Sequence, residues 1–515
     1  SLSLSLSFRN PNPKKLQSRM HRLLARLQNP HASIPAVVQV VGSKGKGSTT
    51  AMLAAAAGAA GLRVVSLTSP HVSSRRERIA FGGGMLPISR VEFDALVEAN
   101  ADALRAAARE EEERGGEGGG GRSHLSAFEA MIALGLRAAA DRGCDLAVVE
   151  AGLGGATDAT NVFGGEGGGG GGNVFPSVAP PPSAVVLSSM SLEHAAALGG
   201  SLESVVRAKA GVLRRGVPAV LARQQGGGEA RARELALAEI ERAGAVLLDA
   251  GGEGEEKNEN GVSVSSCELL PSRGRASPPR TKVQLRVSGE LARPFLFSSA
   301  SSGGGDGENS LLEIEAELRL FGGHQAGNAA AAAAAALSLS LPPFAAASTN
   351  SNLDLDDLLR RRRALAGRIT PDAISRGLSG ATLPGRFQVA RLPLANGGVR
   401  WSGGSSGGGE SSSSSSSSLA HLTSHPSSSS SSSSSCAALS SIPIVLDGAH
   451  TPDSAAALAR ALSAAWPVLG PKKKQPKLGI VLACASDKDL RGIAAALRSP
   501  PSSLKEENSS SSSSS

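Results

Sequence analysis

Residues 37–50 read Val37-Val38-Gln39-Val40-Val41-Gly42-Ser43-Lys44-Gly45-Lys46-Gly47-Ser48-Thr49-Thr50, a β-type apolar run followed by glycines around a lysine. The glycines allow backbone N–H groups to turn toward an anion, and Lys46 can reach phosphate oxygens. Ser48 or Thr49 then begins a helix, which the alanine-rich segment 51–60 continues. The spacing is the compact form G-x-x-G-K-G-S, because Val40 stands where the common Walker motif has its first glycine. The segment predicts a nucleotide-binding α/β unit.

Composition limits how much of the chain can pack. Because the chain has 63 glycines, the glycine motif at residues 42–48 could also arise by chance. The order strand, loop, helix around it favours a phosphate loop. Several tracts are too poor in apolar side chains to fold, and we interpret them as loop insertions: 115–121, 164–172, 411–418, 427–435 and 509–515. With no Tyr, two Trp and 11 Phe, a surface that stacks nucleic-acid bases is not expected.

Charge and cysteine usage exclude further classes. The net charge is +8, but the basic residues are scattered, which fits an anionic small substrate better than nucleic acid. The four cysteines form no C-x-x-C pair, so the pattern predicts neither a zinc site nor a disulfide framework, as in a reducing compartment. No apolar run of about 18 residues indicates a membrane span.

The N-terminal segment has two interpretations. The chain starts at Ser1, and no acidic residue precedes Glu77. Apolar residues from Leu16 to Leu27 recur at helical spacing opposite basic ones, which is typical of an organelle transit peptide or of a structural helix before the first strand. We favour the structural helix, with any targeting segment confined to residues 1–13. The predicted location is mitochondrial or cytoplasmic.

Three more predicted strands end in polar residues. They lead to Ser69, to Glu150 and to His194. The carboxyl ends of parallel strands share one edge of a sheet, so these side chains are expected to converge on the phosphate loop. Phosphoryl transfer needs a hard cation, and Glu150 is the best candidate Mg²⁺ ligand, with a helix cap or a surface acid as the alternative. Taken alone, His194 would more often be structural, and Lys209 would be a solvated helix lysine.

Nine blocks occur in a fixed order along the chain, and together they resemble the folylpolyglutamate synthase and dihydrofolate synthase family of Mur-type ligases. The resemblance covers about residues 17 to 497, and residues 42–49 and 197–204 look most like plant dihydrofolate synthases. The blocks are G-S-K-G-K-G-S at 42–48, S-P-H with R-E-R-I at 69–79, E-A-G-L-G-G with D-A-T-N at 150–161, E-H with L-G-G-S-L-E at 193–203, K-A-G at 209–211, H-Q with N at 324–328, P-G-R-F at 384–387, D-G-A-H at 447–450, and D-K-D at 487–489.

The resemblance implies an α/β fold: a P-loop Mur-ligase-type central domain with a mostly parallel sheet, followed by a Rossmann-like C-terminal domain. The expected organisation is a targeting remnant or disordered segment at 1–13, the ATP-binding central domain at 14–345 and a linker at 346–380. A truncated glutamate-ligase domain at 381–500 then carries a Ser-rich insertion at 401–440, and a low-complexity tail occupies 501–515.

The resemblance also implies a set of site residues, with Lys46, Lys209 and His194 as the catalytic ones. ATP is expected to contact Gly45, Lys46, Gly47, Ser48, Asn328, Arg386 and Asp447. Two Mg²⁺ ions are expected on Ser48, Ser69, Glu150, His194 and Lys209, the lysine carrying a carbamate. The pterin substrate is expected near Phe128, Glu129 and Asp158.

The implied reaction is ATP-dependent amide formation between a pteroate or folate carboxylate and L-glutamate, foremost that of a dihydrofolate synthase. The alternatives are a folylpolyglutamate synthase or bifunctional enzyme and, further away, a non-catalytic nucleotide-binding protein. Five residues depart from the commoner family residues: Lys44, Ala156, Thr157, Glu193 and Thr451. We expect a monomer without nucleic-acid or membrane partners.

Overall fold

The computed structural model describes most of the chain N-terminal to residue 394 and parts of the remainder. The described residues are 13–116, 125–164, 178–225, 228–251, 260–272, 278–296, 312–341, 360, 363–365, 367–393, 441–466, 481 and 489–498. The predicted targeting segment before Pro13, the Gly-rich insertion beyond Gly164, the Ser-rich insertion 401–440 and the tail 501–515 lie outside this set.

One large sheet organises the described chain. Its eleven strands lie in the order β11-β10-β9-β8-β7-β6-β1-β5-β2-β3-β4. Their bounds are β1 Ala36–Val41, β2 Val64–Leu67, β3 Ile79–Phe81, β4 Leu86–Pro87, β5 Leu146–Glu150, β6 Ala184–Leu187, β7 Pro218–Ala222, β8 Val246–Ala250, β9 Gly261–Leu270, β10 Arg280–Ser288 and β11 Leu312–Leu318.

The middle of this sheet is parallel and both of its ends are antiparallel. Strands β2, β5, β1, β6, β7, β8 and β9 pair in parallel, whereas β3 and β4 at one end and β10 and β11 at the other pair antiparallel. Every residue of β1, β5 and β6 is buried, as expected for parallel strands covered on both faces. The predicted α/β fold with a mostly parallel sheet is confirmed.

Helices cover both faces of the sheet. Their bounds are α1 Pro13–Arg26, α2 Lys46–Ala59, α3 Arg90–Ala99, α4 Ala101–Gly116, α5 Ala127–Asp141, α6 Leu202–Ala210, α7 Glu229–Ala243, α8 Arg293–Leu296, α9 His324–Ser338, α10 Pro371–Gly380, α11 Pro452–Ala465 and α12 Leu490–Arg498. Alanine-rich α2 and α9 pack with α10 in one hydrophobic cluster, and α1 and α5 pack in another. Among the helices described, none is both long and apolar enough to span a membrane.

The described chain divides into two compact units. The first comprises the residues up to Leu383 together with those from Ala449 onward, and the second comprises the residues between Pro384 and Gly448. The second unit contains a two-stranded antiparallel sheet of β12, Gln388–Pro393, and β13, Ser441–Leu446.

The end of the predicted linker is a packed helix. Helix α10 lies within residues 346–380, and Ile374 and Leu378 on it are fully buried. A Cβ on Gly377 would lie only 2.3 Å from the Cα atom of Ala56, so α10 approaches α2 backbone to backbone. The apolar spacing of Ile374 and Leu378 is that of one buried helix face, which a linker does not require.

Candidate functional site

The phosphate loop lies where the sequence predicts it, between β1 and α2. Gly42 and Gly45 have φ angles of +149° and +86°, and α2 begins at Lys46 directly after Gly45. The Nζ atom of Lys46 donates hydrogen bonds to the carbonyl oxygens of Gly42 and Ser43, at 3.1 and 3.2 Å. The lysine charge and the positive end of α2 therefore lie at the same loop, which suits it to bind an anion.

The two glycines also allow neighbouring elements to touch the loop. A Cβ on Gly45 would lie 2.5 Å from the Oδ1 atom of Asn328, and a Cβ on Gly42 would lie 1.9 Å from the Oγ atom of Ser188. Asn328 is in the first turns of α9, and its side-chain amide donates to the Oε1 atom of Gln325 at 2.9 Å. The structure thus places Asn328, a predicted ATP contact, beside the phosphate loop.

Lys209 lies beneath the same loop. It is in the last turn of α6, only 3 % exposed, and its Nζ atom donates to the carbonyl oxygen of Gly42 at 2.7 Å. Burial lowers the pKa of Lys209 to about 7, and the nearby charge of Lys46 adds to this, while Glu193 and Asp158 oppose it. Lys209 is therefore not a solvated helix lysine, and its amine lies against the phosphate loop.

The predicted Mg²⁺ ligands come together in part. Glu150 ends β5 and is 4 % exposed, and its Oε2 atom accepts a hydrogen bond from the backbone N–H of Ser69 at 3.2 Å. A Cβ on Gly47 would lie 3.8 Å from the same Oε2 atom, so the carboxylate lies beside the first turn of α2, which contains Ser48.

These residues fit a magnesium ion bound with phosphate. Mg²⁺ keeps several waters and takes one or two carboxylates together with substrate phosphates, so Glu150 with the hydroxyl groups of Ser48 and Ser69 is a suitable donor set. Within the described ranges no three His, Cys, Asp or Glu side chains come together as a metal cluster. A magnesium ion bound here would take its remaining ligands from water and phosphate.

His194 lies at the same edge of the sheet, in the loop after β6. It has a φ angle of +59° and precedes a short turn, and its side chain is exposed. The Oε1 atom of the adjacent Glu193 accepts a hydrogen bond from the Nε2 atom of His450 at 3.1 Å, and Lys44 pairs with Asp453 at 3.3 Å. The segment that begins α11 therefore contacts the phosphate-loop region, which the separate blocks of sequence did not indicate.

The predicted pterin region is a tightly built turn. A Cβ on Gly152 would lie 2.8 Å from the ring of Phe128, so the ring and the turn after Glu150 are in contact. Asp158 accepts hydrogen bonds from the backbone N–H groups of Leu153 and Thr160, at 2.8 and 3.0 Å. Burial raises the pKa of Asp158 despite these bonds, and its carboxylate shapes the turn itself.

Glu129 has partners inside the protein. One carboxylate oxygen accepts from the backbone and hydroxyl of Ser126, and forms a helix cap at the start of α5. The other accepts from the Nε atom of Arg19 at 2.5 Å in a buried ion pair. A substrate contact through Glu129 stays a prediction, whereas its contribution to the packing of α1 on α5 is visible.

Arg386 and Asp447 lie together in the second compact unit. The Oδ2 atom of Asp447 accepts from the backbone N–H of Phe387 at 2.8 Å, and a Cβ on Gly448 would lie 2.3 Å from a guanidinium nitrogen of Arg386. The two blocks P-G-R-F and D-G-A-H thus form one turn region, although some sixty residues separate them in sequence.

The relatives of this chain are named dihydrofolate synthase, folylpolyglutamate synthase or both. The chain matches no protein-family model. It is 32 % identical over 205 residues to the dihydrofolate synthase/folylpolyglutamate synthase of Bacillus subtilis, which covers 40 % of this chain and 41 % of the relative. It is 31 % identical over 243 residues to a probable dihydrofolate synthetase of Schizosaccharomyces pombe, which covers 47 % and 50 %. The chain thus spans half or less of the length of these curated relatives.

A solved structure shares the fold over most of the chain. The folylpolyglutamate synthase of Mycobacterium tuberculosis, solved with ADP and AMPPCP, superposes with a TM-score of 0.56 at 23 % identity and covers 93 % of this chain and 76 % of that one. Such a likeness at low identity supports the Mur-ligase-type α/β fold. Taken with the sequence matches, it shows that the chain is similar in sequence and in fold to folylpolyglutamate synthases and dihydrofolate synthases.

Proposed function

We propose that this protein is an ATP-dependent ligase that joins the carboxylate of a pteroate or folate to the amine of L-glutamate. The observation that carries the proposal is the meeting of four groups at one sheet edge: the phosphate loop, Asn328 on Gly45, Lys209 on Gly42 and the carboxylate of Glu150 beside α2. Such an arrangement binds and polarises a nucleoside triphosphate.

The proposed reaction has two steps, phosphoryl transfer and amide formation. A carboxylate oxygen of the acyl substrate attacks the γ-phosphorus of ATP, and ADP leaves with the electron pair of the broken P–O bond. The amine of glutamate then attacks the acyl carbon, phosphate leaves, and the amine loses a proton. The charge of Lys46 and the N–H groups at the start of α2 stabilise the oxygens on which negative charge develops. Glu150, Ser48 and Ser69 would hold magnesium, which would neutralise phosphate charge.

The finer assignments extend the same proposal. Lys209 would hold a carbamate, because a buried side chain that faces a metal-binding loop serves better as an anion than as a cation. That carbamate and His194 would hold a second Mg²⁺ ion. Arg386 and Asp447 would contact ATP, and Phe128, Glu129 and Asp158 would line the pterin site.

Dihydropteroate is the favoured acyl substrate. The supporting features are the resemblance of residues 42–49 and 197–204 to plant dihydrofolate synthases and the contact of Phe128 with the turn at Gly152, which offers a ring surface to a pterin. The alternatives are a monoglutamylated folate, or both substrates. Monomeric state and a mitochondrial or cytoplasmic location stay part of the proposal.

One assay separates these functions. The full chain is given ATP, Mg²⁺ and labelled glutamate with either dihydropteroate or tetrahydrofolate monoglutamate, and amide formation is measured. The favoured assignment expects dihydropteroate to react faster, and extension of the monoglutamate alone would reassign the protein to folylpolyglutamate synthase. Lys46→Ala should abolish product, whereas Lys282→Ala, on the half-buried face of β10 where the lysine pairs with Glu315, should not. Binding of ATP without product from either acceptor would favour the non-catalytic alternative.

A further inference from the structure

Arg214 is a buried cation with no acidic partner among the residues that the structure describes. It follows α6 in the turn before β7 and is 6 % exposed. Its Nη1 atom donates to the carbonyl oxygens of Gly211 and Leu213, at 3.2 and 3.1 Å. Its Nη2 atom donates to the Oδ1 atom of Asn161 at 2.6 Å and to the carbonyl oxygen of Phe163 at 3.1 Å.

Such a charge is costly to bury. Burial lowers the pKa of Arg214 to about 10, so the guanidinium is still charged at neutral pH. Neutral oxygens bonded to its two Nη atoms compensate it, while its Nε atom has no hydrogen-bond partner among the described residues. A buried charge without a counter-charge destabilises a fold in proportion to the hydrogen bonds it lacks. An apolar side chain would fill the same space at less cost, so its bonds point to a specific task.

Arg214 joins two elements of the structure through these hydrogen bonds. On one side is the end of α6, and on the other is the turn of residues 151–163, named here the acyl turn. Within that turn, the side-chain amide of Asn161 donates to the carbonyl oxygen of Ala156 at 3.0 Å. The N–H of Ala156 in turn donates to the carbonyl oxygen of Ala208 at 2.7 Å. Arg214, Asn161 and Ala156 therefore link the acyl turn to α6 in one chain of hydrogen bonds.

The two elements are also in direct backbone contact. A Cβ on Gly155 would lie 2.3 Å from the carbonyl oxygen of Lys209, and a Cβ on Gly211 would lie 2.3 Å from the Cβ atom of Ala156. The acyl turn and α6 thus pack together as one unit. The side chain of Lys209 extends from α6 to the carbonyl oxygen of Gly42, so the position of α6 determines where the Lys209 amine contacts the phosphate loop.

We propose that Arg214 is a positioning residue of the ligase site, which holds the acyl turn and the Lys209 helix at a fixed distance from the phosphate loop. The inference rests on the proposed function for its kinetic consequences. Arg214 contacts no reacting group itself. It acts through Asn161 on one side and through the end of α6 on the other, while the phosphate loop depends on β1 and α2 for its own shape.

The test compares Arg214→Met, which keeps most of the side-chain length without the charge, with Arg214→Lys. The control is Arg215→Met, because Arg215 is exposed on the same turn. Affinity for the ATP analogue AMPPCP should change by less than about twofold in Arg214→Met, because the phosphate loop is intact. Its turnover should fall on the order of a hundredfold, since small displacements of positioned groups cost that much. Arg214→Lys should recover part of the rate, and Arg215→Met should match wild type.

Hydrogen exchange gives a readout that does not need the reaction. The amide of Ala156 should exchange faster in Arg214→Met, while the amides of β1 and β5 keep their protection. Equal loss of protection in β1 and β5, or equal loss of AMPPCP affinity and rate, would overturn the inference in favour of a general structural role. Wild-type rate with a protected Ala156 amide would also overturn it. If wild type forms no amide, the proposed function fails, and hydrogen exchange with AMPPCP binding still decides the position of Arg214.

Discussion

His31 should make this protein sensitive to acid. It lies in the turn Pro30–Ser33 between α1 and β1, 1 % exposed, with its ring edge-on to Phe163 at 5.9 Å between centroids. Neither ring nitrogen has a hydrogen-bond partner among the described residues. Burial, with a smaller contribution from the charge of His21, lowers the pKa of His31 from its ordinary 6.5 to about 3. The folded protein therefore keeps this ring neutral where the unfolded chain protonates it.

The magnitude follows from proton linkage. Between the two pKa values the unfolded chain binds one more proton than the folded protein, so stability falls as the pH falls below 6.5 and stops falling near 3. At about pH 5 the unfolded state gains about 2 kcal/mol from His31 alone, at 1.36 kcal/mol for each pH unit below the ordinary pKa. At about pH 8 the contribution vanishes because both states are neutral.

The assay is the free energy of unfolding in urea at about pH 8 and about pH 5, for wild type and for His31→Leu. Leucine fills the space with apolar atoms and has no unpaired nitrogens, so the variant should be at least as stable as wild type at the higher pH. Its loss of stability on acidification should be smaller than that of wild type by about 2 kcal/mol. The other titrating groups cancel in this difference. An equal loss in both proteins would refute the reasoning and show that the ring is accessible to protons in the folded state.

Substitutions at Gly45, Lys209 and Arg19 give three further tests. Gly45→Ala should weaken ATP binding in calorimetry, because its left-handed φ costs about 1–2 kcal/mol with a Cβ and Asn328 would have to move. Lys209→Ala should lose turnover that small carboxylates partly restore, whereas Lys209→Arg should stay inactive, and full activity of either would contradict the carbamate. Arg19→Met should cost about 3–5 kcal/mol in urea unfolding, because it leaves the buried carboxylate of Glu129 unpaired. Glu129→Gln combined with it should recover part of that loss.

Local patterns predicted the parts of this fold that local physics determines. The apolar run 37–41, the glycines and the alanine segment after Lys46 specify strand, loop and helix within twenty residues. The shared edge of Ser69, Glu150 and the phosphate loop followed from the rule that parallel strands end on one side.

Contacts between distant residues were beyond that reasoning. The S-x-x-E pattern that begins at Ser126 indicates that Glu129 caps a helix. Its ion pair with Arg19 joins residues 110 apart in sequence, so no local pattern indicates it. Arg214 and Arg215 look alike as a basic pair, and only the tertiary structure buries one and exposes the other. Gln39 could have indicated one such contact, because a polar side chain in a buried strand needs a hydrogen-bond partner. In the structure its side-chain amide donates to the carbonyl oxygen of Thr160.

Helix α9 holds one consequence of the alanine-rich composition. Residues 329–336 are eight consecutive alanines, all fully buried against the sheet and α2. A slip of this segment by one residue would replace each alanine with another, so the segment itself does not specify its own register. Only its ends can do so: Gln325 and Asn328 at the phosphate loop, and Leu337 and Leu339 at the far end. Asn328 therefore helps to set the register of the whole helix, so the side chain that lies against Gly45 of the phosphate loop also aligns the buried alanines with the core.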